Sequence, residues 1–176
     1  MSRLCCRILF FTAISGIVLP VFGAESFPSS GPVVAGSQAV LRLGWAAAPA
    51  EAPLAVKRAI WAGNQLRRKP YRYGGGHRKL FDRGYDCSGT ISYVLIAAGL
   101  MRSPISSDEF RSFGRAGKGK WITIYARDGH AFAVIAGLRL DTTEWNETKP
   151  NRHWAPRWRT SYRKTRHFKA RHPVGL

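Results

Sequence analysis

The chain has 176 residues and carries 28 Lys and Arg against 10 Asp and Glu, a formal net charge of +18. Such a surface is drawn to polyanions, whether nucleic acid, anionic lipid or acidic cell-wall polymer, and charge alone does not choose among them. Three cysteines, two of them beside the N-terminus, exclude a fully paired disulfide framework.

Arg3 and Arg7 open the chain, an apolar run follows from Ile8 to Val21, and small residues come next at Gly23 and Ala24. This is the order of a secretory signal. The run is shorter than the about 20 residues a bilayer span needs and contains Pro20, so no stable membrane span is expected. Residues 1–23 are therefore read as a signal peptide and the protein as periplasmic or secreted. Cleavage there removes Arg3 and Arg7 and leaves 26 basic against 10 acidic residues, a net +16. For an exported protein, peptidoglycan or another anionic envelope polymer is the nearest partner, and nucleic acid is not expected. Cys5 and Cys6 leave with the signal, so Cys87 stands alone, as a free reactive thiol or half of an intermolecular bridge.

Residues 24–53 are rich in Ala, Pro and Gly without a sustained period and read as a linker or loosely packed arm. Beyond them, residues 54–176 hold enough chain for one core and not two. A helix is predicted over 54–68, with Val56, Ile60, Gly63 and Leu66 at helical spacing and Pro70 beyond. A turn-rich stretch, Tyr71-Arg72-Tyr73-Gly74-Gly75-Gly76, leads to a second helix over 87–98. Ile91, Val94, Leu95 and Ala98 form its apolar stripe with Cys87 on the same side, and Gly99 caps its end. Runs at 121–125, 130–135 and 138–141, divided by Gly129 and Gly137, read as consecutive antiparallel strands. Helices followed by a meander give an α+β layout.

Cys87 at a helix start sits where unpaired N–H groups and the helix dipole favour negative charge on the sulfur, its nucleophilic form. Asp86 is placed to cap that helix. A buried structural cysteine is the alternative. His130, opening an apolar strand after Asp128-Gly129, is the base that would take the thiol proton and return one to a leaving amine. Asp141, eleven residues on and across a short turn, is the group to orient the imidazole, with Thr142 or Thr143 as substitutes if the register slips. His77, His153, His167 and His172 lie in basic or turn-rich sequence and read as solvated. None has metal-ligand spacing with Cys87.

Together these residues resemble the NlpC/P60 family of cysteine peptidases. The resemblance begins at Pro70-Tyr71-Arg72-Tyr73-Gly74-Gly75, continues at Tyr85-Asp86-Cys87-Ser88-Gly89 and ends at Gly129-His130, covering about residues 54–145. It implies a papain-like fold, with the nucleophile helix packed on an antiparallel β-sheet. It also implies a metal-free, cofactor-free thiol peptidase that cuts peptidoglycan stem peptides, often between D-γ-glutamyl and a diamino acid. By motif position, Tyr71 would line the substrate cleft, Asp86 and Ser88 would help recognise the peptide amine, and the Cys87 N–H would serve an oxyanion. A non-catalytic wall-binding module of the same fold, or a related thiol amidase or acyltransferase, are the alternatives. The chain departs from the family pattern in two places. The third catalytic residue there is often His, Asn or Gln, where this chain has Asp141. Residues 149–176 extend past the usual core, with nine Lys or Arg, no acid, and Trp154, Trp158, Tyr162 and Phe168 interleaved. This extension is expected to pack its aromatics on the domain and turn its charges outward.

Overall fold

A computed structural model describes residues 25–143, 153–160 and 165–176. The expected signal peptide and Tyr162 lie outside the described residues. In chain order the elements are β1 (Val33–Val34), β2 (Val40–Arg42), β3 (Trp45–Pro49), α1 (Leu54–Leu66) and α2 (Cys87–Ala97). A short 3-10 helix (Glu109–Ser112) follows. After it come β4 (Arg115–Ala116), β5 (Ile122–Arg127), β6 (His130–Ile135), β7 (Leu138–Thr143), β8 (His153–Arg159) and β9 (Lys169–His172). The layout is α+β. Among the described residues, no helix is long and apolar enough to cross a membrane.

The meander forms as its sequence dictates. In β5 and β6 the apolar residues pair from Ile122–Ile135 to Arg127–His130, and β7 returns against β6 with Leu138 opposite Ile135. Gly129, at φ +72°, makes the first turn in the left-handed region that glycine adopts without strain. These strands belong to one six-stranded antiparallel sheet in the order β4-β9-β5-β6-β7-β8. Ile122, Ile124, Ala131, Ala133, Ile135 and Leu140 are buried in its main core.

Helix α2 differs from the expected amphipathic stripe, because every residue from Cys87 to Leu95 is buried. It packs on α1 and on β6 and β7, so burial extends beyond one apolar stripe and takes in Ser88, Thr90 and Ser92 as well. Gly99, at φ +73°, follows its C-cap as expected. Helix α1 stops at Leu66, slightly before the predicted end.

The Ala-rich stretch is not a loose arm. Residues 33–49 fold into a small sheet with β3 at its centre, parallel to β1 and antiparallel to β2. Ala46 and Ala48 are fully buried. The Asn64 side chain on α1 accepts from the Ala46 N–H and donates to its carbonyl, each at 2.9 Å. Trp61 Nε1 donates to the Pro32 carbonyl at 3.1 Å. Alanine gives no periodic signal, yet its small side chain lets β3 lie close against α1 and form this amide clamp.

The basic C-terminal segment is likewise structural. Strand β8 is an edge of the large sheet, and β9 inserts between β4 and β5. Trp158 is buried, and a Cβ at Gly63 of α1 would collide with its ring. Phe168 packs edge-on against Phe132, with ring centroids 5.0 Å apart. Trp158 and Phe168 therefore pack as expected, whereas Trp154 stays 39% exposed.

Candidate active site

The residues singled out around Cys87 converge where α2 begins. Asp86 is extended, at φ −88° and ψ −172°, and its Oδ1 accepts from the Gly89 N–H at 2.7 Å, which makes it the N-cap. Cys87 follows as the first helical residue, unpaired and 7% exposed. Its buried setting does not separate it from the histidine, since interaction with Cys87 is among the causes that raise the His130 pKa.

The stretch before α2 folds back onto it. Tyr85 N–H donates to the Pro70 carbonyl at 3.0 Å, and Tyr71 bridges Tyr85 in parallel. Asp86 Oδ2 accepts from the Gly74 N–H at 3.0 Å. The loop sits so close that a Cβ on Gly89 would overlap the Gly75 carbonyl oxygen. The glycines on either side of Cys87 therefore mark a backbone-to-backbone approach that positions Cys87. Replacing Gly89 by alanine is expected to destabilise the fold by about 1–3 kcal/mol through overpacking, read as a lower urea midpoint. An unchanged midpoint would show that the loop can move aside.

Tyr71 lies beside this centre. Its burial, and then negative charge at Cys87 and Asp86, push its pKa up to about 12, so near neutral pH it keeps its phenolic proton. Ser88 is turned inward, with its Oγ donating to Asp86 Oδ1 at 3.2 Å. His77, expected to be a solvated residue, is a neighbour of this centre that the sequence did not reveal. Its Nε2 lies 3.1 Å from Asp86 Oδ1 and 3.2 Å from Ser88 Oγ. That Asp86 hydrogen bond raises the His77 pKa despite partial burial. No local pattern marks His77, because the contact exists only once residues 77–86 have closed on themselves around the Tyr85 hydroxyl, which donates to the Leu80 carbonyl at 2.6 Å.

His130 opens β6 and is 3% exposed. Its Nε2 is 3.1 Å from Asp141 Oδ1, which leaves the Nδ1 edge for the thiol. Phe132 and Phe168 hold the ring, with centroids 6.4 and 6.1 Å away. Burial works against protonation, but hydrogen bonds to Asp141 and Cys87 and their charges outweigh it, and the His130 pKa is raised to about 9.

Asp141, rather than Thr142 or Thr143, is the residue that meets the His130 ring. Its Oδ1 also accepts from the Thr142 and Thr143 N–H groups, at 2.7 and 3.2 Å. Its Oδ2 accepts from Arg139 and from the Thr143 hydroxyl. The pairing of β7 with β8 shifts between Asp141 and Thr143, and this bulge lets both successive N–H groups reach one carboxylate oxygen. Burial disfavours the charge, yet the bonds to His130, Arg139 and Thr143 hold the Asp141 carboxyl well below the usual carboxylate range. The Arg139 guanidinium, stacked 3.8 Å over the Phe132 ring, is fixed in its turn.

A thiol, an imidazole that interacts with it and a buried ionised carboxylate on the imidazole Nε2 are the groups that nucleophilic catalysis by a thiol requires. Among the described residues, no group of three or more His, Cys, Asp or Glu gathers as a metal-ligand set. No family model matches the chain, and no curated protein matches it.

Proposed function

We propose that this chain is an exported thiol hydrolase of the NlpC/P60 type, with a papain-like arrangement, that cleaves peptidoglycan stem peptides. The observation that carries the reading is the buried His130–Asp141 pair, with Asp141 Oδ1 3.1 Å from the ring, set beside a thiol at the first residue of α2 that helps raise the His130 pKa. The basic surface supports an anionic envelope polymer as partner.

The chemistry follows from these positions. The His130 Nδ1 edge takes the proton of Cys87 Sγ, and the sulfur attacks the carbonyl carbon of the scissile amide. The tetrahedral oxyanion is met by the N–H of Cys87 at the start of α2, where helix N–H groups lack intrahelical acceptors. The imidazolium gives its proton to the departing amine as the C–N bond breaks, leaving a thioester on Cys87. His130 then takes a proton from water, whose oxygen attacks the thioester carbonyl. Release of the acid returns the proton to sulfur. Throughout, Asp141 stabilises the imidazolium and fixes its orientation, and Arg139 and Thr143 hold Asp141. Tyr71, with its proton retained, is a donor on the cleft wall. Asp86 and Ser88 reach a peptide amine in concert with His77.

Purified protein incubated with defined muropeptides should release fragments cut within the stem, with the D-γ-glutamyl–diamino acid bond as the leading site, read by product mass spectrometry. Products cut at the sugar–peptide amide, or acyl groups moved to a lipid, would replace the peptidase reading by an amidase or acyltransferase.

A further inference from the structure

A concave pocket of about 270 Å³ lies beside the catalytic histidine and is not used by the chemistry above. Arg111, Ala126, Arg127, Asp128, His167 and Lys169 line it. Its basic groups arrive from three separate places: the 3-10 helix, the β5–β6 turn and the β9 segment. Arg127 is the direct cross-strand partner of His130, and Lys169 pairs with Ala126 on the other side of β5. The Phe168 ring separates pocket from centre, with the Arg127 guanidinium 5.4 Å over it and the His130 ring 6.1 Å away. A group held in the pocket is thus about one aromatic ring from the reacting atoms.

The charges in the pocket are unevenly satisfied. Arg111 is paired with Asp108 at 2.5 Å, and Arg127 spends one donor on the Asp128 carbonyl at 3.1 Å. Among the described residues, no carboxylate pairs with Arg127 or Lys169 through an ion pair. Arg111, Arg127 and Lys169 against the single carboxylate of Asp128 leave the lining net positive, and such a lining favours a bound anion. Arginine's remaining N–H groups suit the oxygens of a carboxylate or phosphate.

We propose that this pocket is an anion subsite of the catalytic cleft, taking a carboxylate or phosphate group of the polymer whose peptide lies at Cys87. The proposal rests on the wall-hydrolase reading for the identity of the polymer, but its test does not require turnover. Binding is measured by calorimetry on the full chain carrying Cys87→Ala, with three probes: a stem peptide with free carboxylates, the same peptide amidated, and a glycerol phosphate oligomer. The pocket variant adds R127Q and K169Q. A control variant adds R42Q and R58Q, two exposed residues on the far β2 and α1 side with the same charge change.

The pocket substitutions should weaken at least one anionic probe about tenfold, while the control substitutions change it less than twofold. A loss confined to the free-carboxylate peptide, with the amidated one unaffected, assigns the subsite to the peptide. A loss confined to the phosphate oligomer assigns it to a wall polymer's phosphate. Equal losses in the pocket and control variants, no loss in the pocket variant, or no binding by the parent would each overturn the proposal. Thermal midpoints are compared throughout, and K169Q alone is used if the double variant is unstable. Absence of hydrolysis by the unmutated protein would sink the thiol-hydrolase reading and leave this result standing.

Discussion

Cys87→Ala is expected to lower muropeptide cleavage by about 10⁴-fold or more, the scale on which loss of a nucleophile acts, while the protein stays folded. Cys87 is the first residue of α2, so alanine preserves the helix start, and the Asp86 cap to Gly89 does not involve the side chain that is lost. Removing the buried sulfur forfeits a small apolar group and its interaction with His130, a cost of about 1–2 kcal/mol. Activity and stability therefore separate. Paired assays of turnover and urea unfolding check this, and cleavage within tenfold of the parent would remove Cys87 from the chemistry.

Asp141→Asn is expected to damage both. The carboxylate accepts on Oδ1 from His130 and two backbone N–H groups and on Oδ2 from Arg139 and Thr143. An asparagine keeps one acceptor and puts an NH₂ donor against groups that are themselves donors. It also leaves Arg139, whose side chain is only 12% exposed, beside no charge. Breaking a buried ion pair from one side costs about 3–5 kcal/mol, and loss of an orienting carboxylate costs on the order of 10⁴ in rate.

The pH dependence carries the same signature. His130 is raised to about 9, so its contribution to stability is complete below its unfolded value of about 6.5 and is lost as pH rises through about 9. Asp141 is lowered, so its contribution is present above about 3.9 and is lost as pH falls through its folded value. The parent should hold both contributions in full between about pH 4 and 6.5. Turnover that needs the imidazolium should fall above about pH 9. In Asp141→Asn that alkaline limb should move to lower pH, because the carboxylate that raises His130 has gone. A limb that stays in place would mean that Asp141 does not set the protonation of His130.

The parts of this arrangement that follow from local periodicity were legible in the sequence. Both helices, the meander from Ile122 to Thr143, the Asp86 cap and the Cys87–His130–Asp141 set all follow from spacing and turn residues. The bulge at Asp141 has no local signature, since it arises from the pairing with β8, where Pro156 and interleaved arginines mask a strand. An edge position tolerates that proline because its missing N–H costs no internal ladder bond. The alternation Trp154, Pro156, Trp158 was the available signal. Residues 33–49 were hidden for a different reason, because alanine strands are held by contacts with Asn64 and Trp61 that only the folded chain brings near. His77 is the same case at the site, joined to Asp86 by loop closure rather than by spacing.

The covalent step is tested most directly by mixing the protein with an excess of a defined muropeptide, quenching in acid, and weighing the intact protein while counting the amine released. Amine release is expected, and any acyl adduct that accumulates should map to Cys87 as a thioester with a mass gain equal to the acyl part of the peptide. An adduct on another residue, or no release at all, would contradict the thiol mechanism.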